Sequence, residues 1–384
     1  MQYDFSTPVD RRGTGCVKWD AKPVENAMWV ADMDFRTAPE ILEALQKRVE
    51  HGVFGYTLLT EDWYRAYTDW WRDRHGLQME RDWLVFCTGI IPAISSIVRK
   101  LTTPNENVVL QTPVYNTFFN CVVNNGRRVL ESPLVYRDGE YSIDFADLEE
   151  KLSDPQTALM ILCNPHNPIG KLWDRETLEK IGELCHRHRV TVVADEIHCD
   201  LTEPGRDYVP FASVSPVCRD ISITCLAPTK TFNLAGLQTA AVAVADPTLR
   251  HRVWRGINTD DVGEPNALAV TAAVAAFTRG GPWLDALREH ISANRRLAAE
   301  FLARELPQVR LIPGEATYLL WLDTGLPSRS FAPWLLEHTG LWLCAGEIYG
   351  EPGQNFLRMN IACPAAALED GLRRLKKGIE TYHQ

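Results

Sequence analysis

Between residues 83 and 245 the apolar positions fall into short unbroken runs rather than alternating with polar ones. The runs lie at 83–88, 107–111, 158–163, 190–195, 221–226 and 240–245, and each is rich in Val, Ile, Leu or Ala. A strand with one wet face alternates; a strand covered on both faces does not. These runs therefore predict strands of a largely parallel sheet. Stretches of helical spacing separate several of them. In 37–51 the residues Ile41, Leu42, Leu45 and Val49 form one apolar face, with Thr37 as the expected cap and Pro39 in the first turn. Helices are also expected at 62–75, at 90–101 with Pro92 in its first turn, at 174–188, at 283–305 and around 365–381.

Length and charge narrow the class. At 384 residues the chain exceeds one ordinary core, so two domains or one large α/β domain are expected. A formal charge of −10 argues against nucleic acid, which draws concentrated positive charge. No run of 18 apolar residues is present, and MQYDFSTPVD lacks a charged stretch followed by an apolar one. A cytoplasmic protein with no membrane contact is expected. The ten cysteines form no CxxC pair and often sit inside apolar runs, which favours reduced, buried thiols over disulfides or metal ligands. His186 and His188 flank Arg187 at the end of a helical segment, where a solvated last turn explains them.

Three segments carry chemistry. Asp195, in VVADEIH, ends an apolar run, and a carboxylate there is costly to bury unless paired. It fits a partner for a protonated ring nitrogen or a solvated strand-end acid. A metal site from Asp195, Glu196, His198 and Asp200 is disfavoured because alternation sends these side chains to opposite faces. Lys230, in APTKTFN, follows another run closely, so it fits either a desolvated, nucleophilic amine or a snorkelling surface lysine. Gly89, Ile90 and Ile91 lie where a strand gives way to a helix, presenting free amides suited to a phosphate or simply turning the chain.

Taken in order and with their flanks, these segments resemble the fold-type I enzymes that use pyridoxal 5′-phosphate. More narrowly, they resemble the cystathionine β-lyase (carbon–sulfur β-lyase) branch beside the class I and II aminotransferases. The stretches MWVADMDFRTAPE, VEHGVFGYT, TGIIPAIS, QTPVYNTFF, LCNPHNPIGKLW, VVADEIHCDL, APTKTFNLAGLQT and FLRMNIACP span nearly the whole chain. The resemblance implies an α/β fold: a large domain with a mainly parallel seven-stranded sheet flanked by helices, over 46–285, and a smaller α/β domain from 1–45 and 286–384. It implies that Lys230 joins the cofactor covalently and later moves the substrate's α-proton. Asp195 would face the ring nitrogen, Asn167 the phenolic oxygen, and Tyr115 the ring face. His198 stands where many aminotransferases have a tyrosine. Gly89, Ile90 and Ile91 would hold the phosphate, with Thr229 as helper. Tyr56, in the catalytic set with Lys230, would reach the phosphate of a neighbouring subunit in a homodimer, and Arg358 would grip the substrate carboxylate.

Departures from the pattern bear on detail. Gln238 stands where many aminotransferases place a phosphate-binding arginine, and Ala227 where serine is frequent. Asn116 takes a position often aromatic or histidine in the lyase branch. The APTKTFN form resembles the lyases, so β-elimination of cystathionine or cysteine S-conjugates is the expected reaction. Transamination on the same scaffold is the alternative. A third reading adds regulation through a bound transcription activator, as the branch is known to combine the two.

Overall fold

In the computed structural model, which describes residues 3–382, the apolar runs form one seven-stranded sheet. In chain order its strands are Leu84–Cys87 (β1), Asn107–Leu110 (β2), Arg128–Glu131 (β3), Thr157–Cys163 (β4), Thr191–Asp195 (β5), Ser222–Leu226 (β6) and Ala240–Ala243 (β7). Their spatial order is β1-β7-β6-β5-β4-β2-β3. Neighbours from β6 to β3 pair in parallel, and β7 is antiparallel to both β6 and β1. Because β7 opposes both neighbours, β1 runs with the parallel set. The C-terminal ends of β1, β2, β4, β5 and β6 therefore open on one edge.

Both faces of the sheet are covered. Ile161, Val193, Ile223 and Val242 pack against helices Ile90–Leu101 and Pro247–Thr259. Met160, Leu162, Val192 and Ala194 face helix Arg175–Arg187 through Leu178, Ile181 and Leu184. This double burial explains the unbroken apolar runs. Strand β3, at the sheet edge and only partly buried, lacks that signature and went unpredicted.

Helices Pro39–Glu50, Glu61–His75, Gly281–Glu305 and Ala365–Thr381 stand close to their expected spans. One local expectation fails. Thr37 does not cap the first of these: Ala38 holds the N-cap position without a side-chain bond, and the buried Thr37 hydroxyl has no partner. Pro39 starts the helix without needing an amide acceptor, which lowers the demand for a cap.

A four-stranded antiparallel sheet is built from Arg310–Leu311 (β8), Leu319–Asp323 (β9), Cys344–Ala345 (β10) and Phe356–Asn360 (β11), in the order β8-β9-β11-β10. The N-terminal segment joins this part of the molecule. Asn26–Ala27 pairs in parallel with Leu341–Trp342, and the Asn360 amide donates to the Met28 carbonyl. The helix Gly281–Glu305 runs unbroken through residue 285. All ten cysteines are free; nine are buried and Cys16 is half-buried.

Candidate active site

The shared edge of strand ends encloses a cavity lined by Ala31, Ile90, Ile91, Tyr115, Cys163, Asn167, Asp195, Ile197, His198 and Lys230. Each strand delivers one wall. Ile90 and Ile91 begin the helix after β1, and their N–H groups have no acceptor one turn back. Gly89 precedes them in extended backbone, and a Cβ there would meet the Pro92 ring at 3.2 Å. Tyr115 follows β2, Asn167 follows β4, Asp195 ends β5 and Lys230 follows β6.

Asp195 is buried, and among the described residues its carboxylate accepts from the Ile197 amide alone, at 3.2 Å. Burial raises its pKa to about 6, against the lowering effects of that amide and of Lys230. The acid thus lacks an ionic partner of its own and faces a cavity large enough to receive one. Lys230, half-buried at the wall, donates from Nζ to the Ala31 carbonyl at 2.6 Å. Burial pulls its pKa down to about 8; Asp32 and Asp195 act upward and Arg358 downward. An amine at that value is partly neutral near pH 7.5, the form that attacks an aldehyde.

His198 is buried, and its Nδ1 has no partner among the described residues. Burial, then the charges of Lys230 and Arg358, pushes it down to about 3, so the ring is neutral. Arg358, on β11, is buried; its guanidinium donates to Asn167 Oδ1 at 3.2 Å and to the Trp29 carbonyl at 2.9 Å, while Nε stays unpartnered. A buried cation with a spare donor is suited to a carboxylate ligand.

Other expected residues stand apart from the lining. Thr229 lies beside Lys230 with its carbonyl accepting from Leu234. Gln238 is exposed at the end of the turn Ala235–Leu237. Tyr56 is wholly exposed on the 52–60 segment, so within one chain it does not meet Lys230. Asp195, Glu196, His198 and Asp200 do not converge. Glu196 turns to Tyr208, the Phe211 amide and Asn164, whereas Asp200 turns to Trp70, His75 and Thr231.

Several residues of the site escaped the sequence reading. The Tyr318 hydroxyl donates to Ala31, the same carbonyl that receives Lys230, at 3.1 Å. Asn360 donates to the carbonyls of Val30 and Asp32, and Asn233 to those of Met33 and Phe35. Buried Lys18, with Arg11, neutralises Asp32 and Asp34. Together these side chains hold the 30–35 segment across the cavity. Asparagines inside FLRMNIACP and APTKTFN were visible as polar residues among apolar ones, but their partners lie far away in sequence.

A family model described as aminotransferase class I and II matches residues 28–375. Cystathionine beta-lyase PatB of Bacillus subtilis (strain 168) is 46% identical, over 98% of this chain and 100% of its own length. Among solved structures, cystalysin from Treponema denticola, which contains a pyridoxal 5′-phosphate cofactor, matches with a TM-score of 0.95 at 32% identity over 99% of each chain. The PLP-bound C–S lyase from Staphylococcus hominis matches at 0.93 and 31%, over 99% of this chain and 98% of that one.

Proposed function

The chain belongs to the class I and II aminotransferase family, and on that premise we propose that it is a pyridoxal-phosphate-dependent carbon–sulfur β-lyase. With one water it converts cystathionine or related cysteine S-conjugates into a thiol, pyruvate and ammonia. One observation carries the reading: a desolvated lysine, a buried acid without an ionic partner among the described residues and a helix start surround a single cavity. Full-length identity of 46% to a cystathionine β-lyase supports elimination over transamination.

The residues present fit the cofactor. Pyridoxal phosphate, when bound, supplies an aldehyde for the lysine and an electron-accepting ring that makes the substrate's α-proton removable. Lys230 would hold it covalently, the amides of Gly89, Ile90 and Ile91 would hold its phosphate with Thr229 beside them, and Tyr115 would cover one face. Asp195 would pair with the protonated ring nitrogen, which lowers the cost of burying that carboxylate. Asn167 would donate to the phenolic oxygen while its own Oδ1 remains engaged by Arg358. His198, neutral, would sit beside that oxygen without adding charge.

Toward the substrate, Arg358 binds and orients the α-carboxylate. Lys230, released from its covalent role, takes the α-proton on Nζ. The Ala31 carbonyl gives the free amine a resting acceptor. Apolar walls at Ile90, Ile91 and Ile197 limit water near the transferring proton.

The unit of function is a homodimer, with Tyr56 reaching the neighbouring subunit's cofactor phosphate. Val53, Phe54, Tyr56 and Leu58, all exposed within six residues, support a surface that a second copy covers. The two sheets support a division into a large domain over 46–285 and a small one from 1–45 and 286–384. No helix of the described residues is long and apolar enough to cross a membrane. Ten free thiols support a cytoplasmic location.

Incubation with L-cystathionine and no keto acid is the decisive test. A lyase releases pyruvate turnover after turnover, whereas a transaminase stops once its cofactor is converted.

A further inference from the structure

Behind the wall that carries Lys230 lies a second polar cluster, away from the cavity. Asp200 has a fully buried side chain. Its Oδ1 accepts from Trp70 Nε1 at 3.0 Å and pairs with His75 Nε2 at 2.8 Å. Its Oδ2 accepts from the Thr231 hydroxyl at 2.9 Å. Thr231 is completely buried and directly follows Lys230. Three donors from two segments, two on the helix Glu61–His75 and one on the lysine loop, thus meet one carboxylate on the turn after β5.

His75, Cys199 and Asp200 also bring one ligand atom each within 4.8 Å of one another, a metal-like spacing. Asp200 nevertheless has both oxygens taken by protein donors, and Arg74, Arg206 and Arg288 line the adjoining pocket. A divalent cation there would displace satisfied bonds and meet like charge. The carboxylate is better matched to its donors than to an ion.

We infer that Asp200 is a positioning residue for the reaction, fixing the backbone of Lys230 through its charge-assisted bond to Thr231. The inference rests on the cofactor-lysine reading of the site. Its logic is geometric. Residue 230 leaves the end of β6 on a loop with no ladder bonds of its own, and proton transfer tolerates little misplacement of Nζ. Asp200 is anchored by Trp70 and His75 independently of the cavity, so the hydroxyl at 231 pins that loop from behind. Burial raises the cost of the carboxylate, and His75 leads the interactions that nonetheless hold its pKa below the ordinary value. The acceptor therefore stays charged.

The test compares Thr231→Val, Thr231→Ser and Asp200→Asn as purified holoenzymes and as apoproteins given pyridoxal phosphate. A hydrogen bond to a charged group predicts that Thr231→Val lowers kcat for cystathionine about tenfold, with KM changed less than about twofold. Regain of the cofactor's bound absorbance band by Thr231→Val apoprotein should slow about tenfold. Thr231→Ser keeps the hydroxyl and should restore both values. Asp200→Asn should reproduce the valine phenotype, and the double variant should be no worse than the worse single one.

Wild-type kcat and band recovery in Thr231→Val would overturn the inference, as would losses that multiply in the double variant. So would one equivalent of zinc bound by wild type and lost in Asp200→Asn. If Thr231→Val does not fold, Thr231→Ala and Asp200→Asn carry the same comparison. Band recovery is read without any lyase substrate, so a wrong substrate assignment leaves this test intact.

Discussion

Arg358 donates to Asn167 Oδ1 across 3.2 Å, joining a strand of the four-stranded sheet to the loop that leaves β4 of the large sheet. The bond ties a buried guanidinium to an asparagine of the cavity lining and holds the asparagine amide in one orientation. Arg358→Ala should raise KM for cystathionine by at least about tenfold, since a charged contact to the α-carboxylate is lost. Asn167→Ala should raise KM less and also weaken cofactor retention. Equal KM in Arg358→Ala and wild type, measured by pyruvate release, would rule out the carboxylate clamp.

Asp195 links the site to stability. Its pKa of about 6 in the folded protein exceeds the ordinary 3.8, so the fold binds a proton more readily than the unfolded chain does. Such a group's contribution is fully present below about pH 4 and lost as pH rises through 6. Apoprotein Asp195→Asn should therefore melt above wild type at pH 7.5, by a stability on the order of 3 kcal/mol, and the gap should close toward pH 4. In the holoenzyme the order of merit reverses for catalysis. Activity should fall by orders of magnitude because the uncharged partner no longer holds the ring nitrogen protonated. Calorimetry of the apoproteins across pH checks the first half, and turnover the second.

Lys230 sets a pH profile of its own. With a pKa near 8 rather than 10.5, its reactive neutral form gains population as pH rises toward 8 and changes little above 9. The rate at which apoprotein captures pyridoxal phosphate should follow that curve. A midpoint near 10.5 would mean that the amine is not desolvated. Lys230→Ala should neither develop the bound band nor release pyruvate, while its circular dichroism stays that of the wild type.

Asn360 tests how the 30–35 segment is held. Its amide bonds two carbonyls, of Val30 and Asp32, and its Oδ1 accepts from the Ala362 amide. Asn360→Ala leaves these groups short of partners and should cost about 2–4 kcal/mol of stability. It should also loosen the Ala31 carbonyl that receives Lys230. Chemical denaturation measures the first effect. An unchanged midpoint would show that the segment is held by the Arg11, Lys18, Asp32 and Asp34 ion pairs alone.

Much of the molecule was legible in its residue order. Unbroken runs of Val, Ile and Leu marked strands covered on both faces, because two-sided burial removes the polar half of the usual alternation. The helix that ends at Leu101 and the long one that ends at Glu305 were legible from periodicity. Lys230 and Asp195 stood out as charged residues at the ends of apolar runs, where a parallel sheet places its ligands, whereas Asn167 was marked only by the family resemblance.

The tertiary structure alone decided the rest. Whether 240–243 ran with or against its neighbours, which carbonyl would receive the lysine and which acid would brace its loop were all unreadable. Lys230 meets Ala31 across 199 positions of chain, Tyr318 meets it across 287, and Thr231 meets Asp200 across 31. Local patterning records how a segment is buried, since burial acts on every few residues. It holds no trace of which distant backbone oxygen a buried donor will find, because that choice is made only when the sheet edges and the N-terminal segment come together.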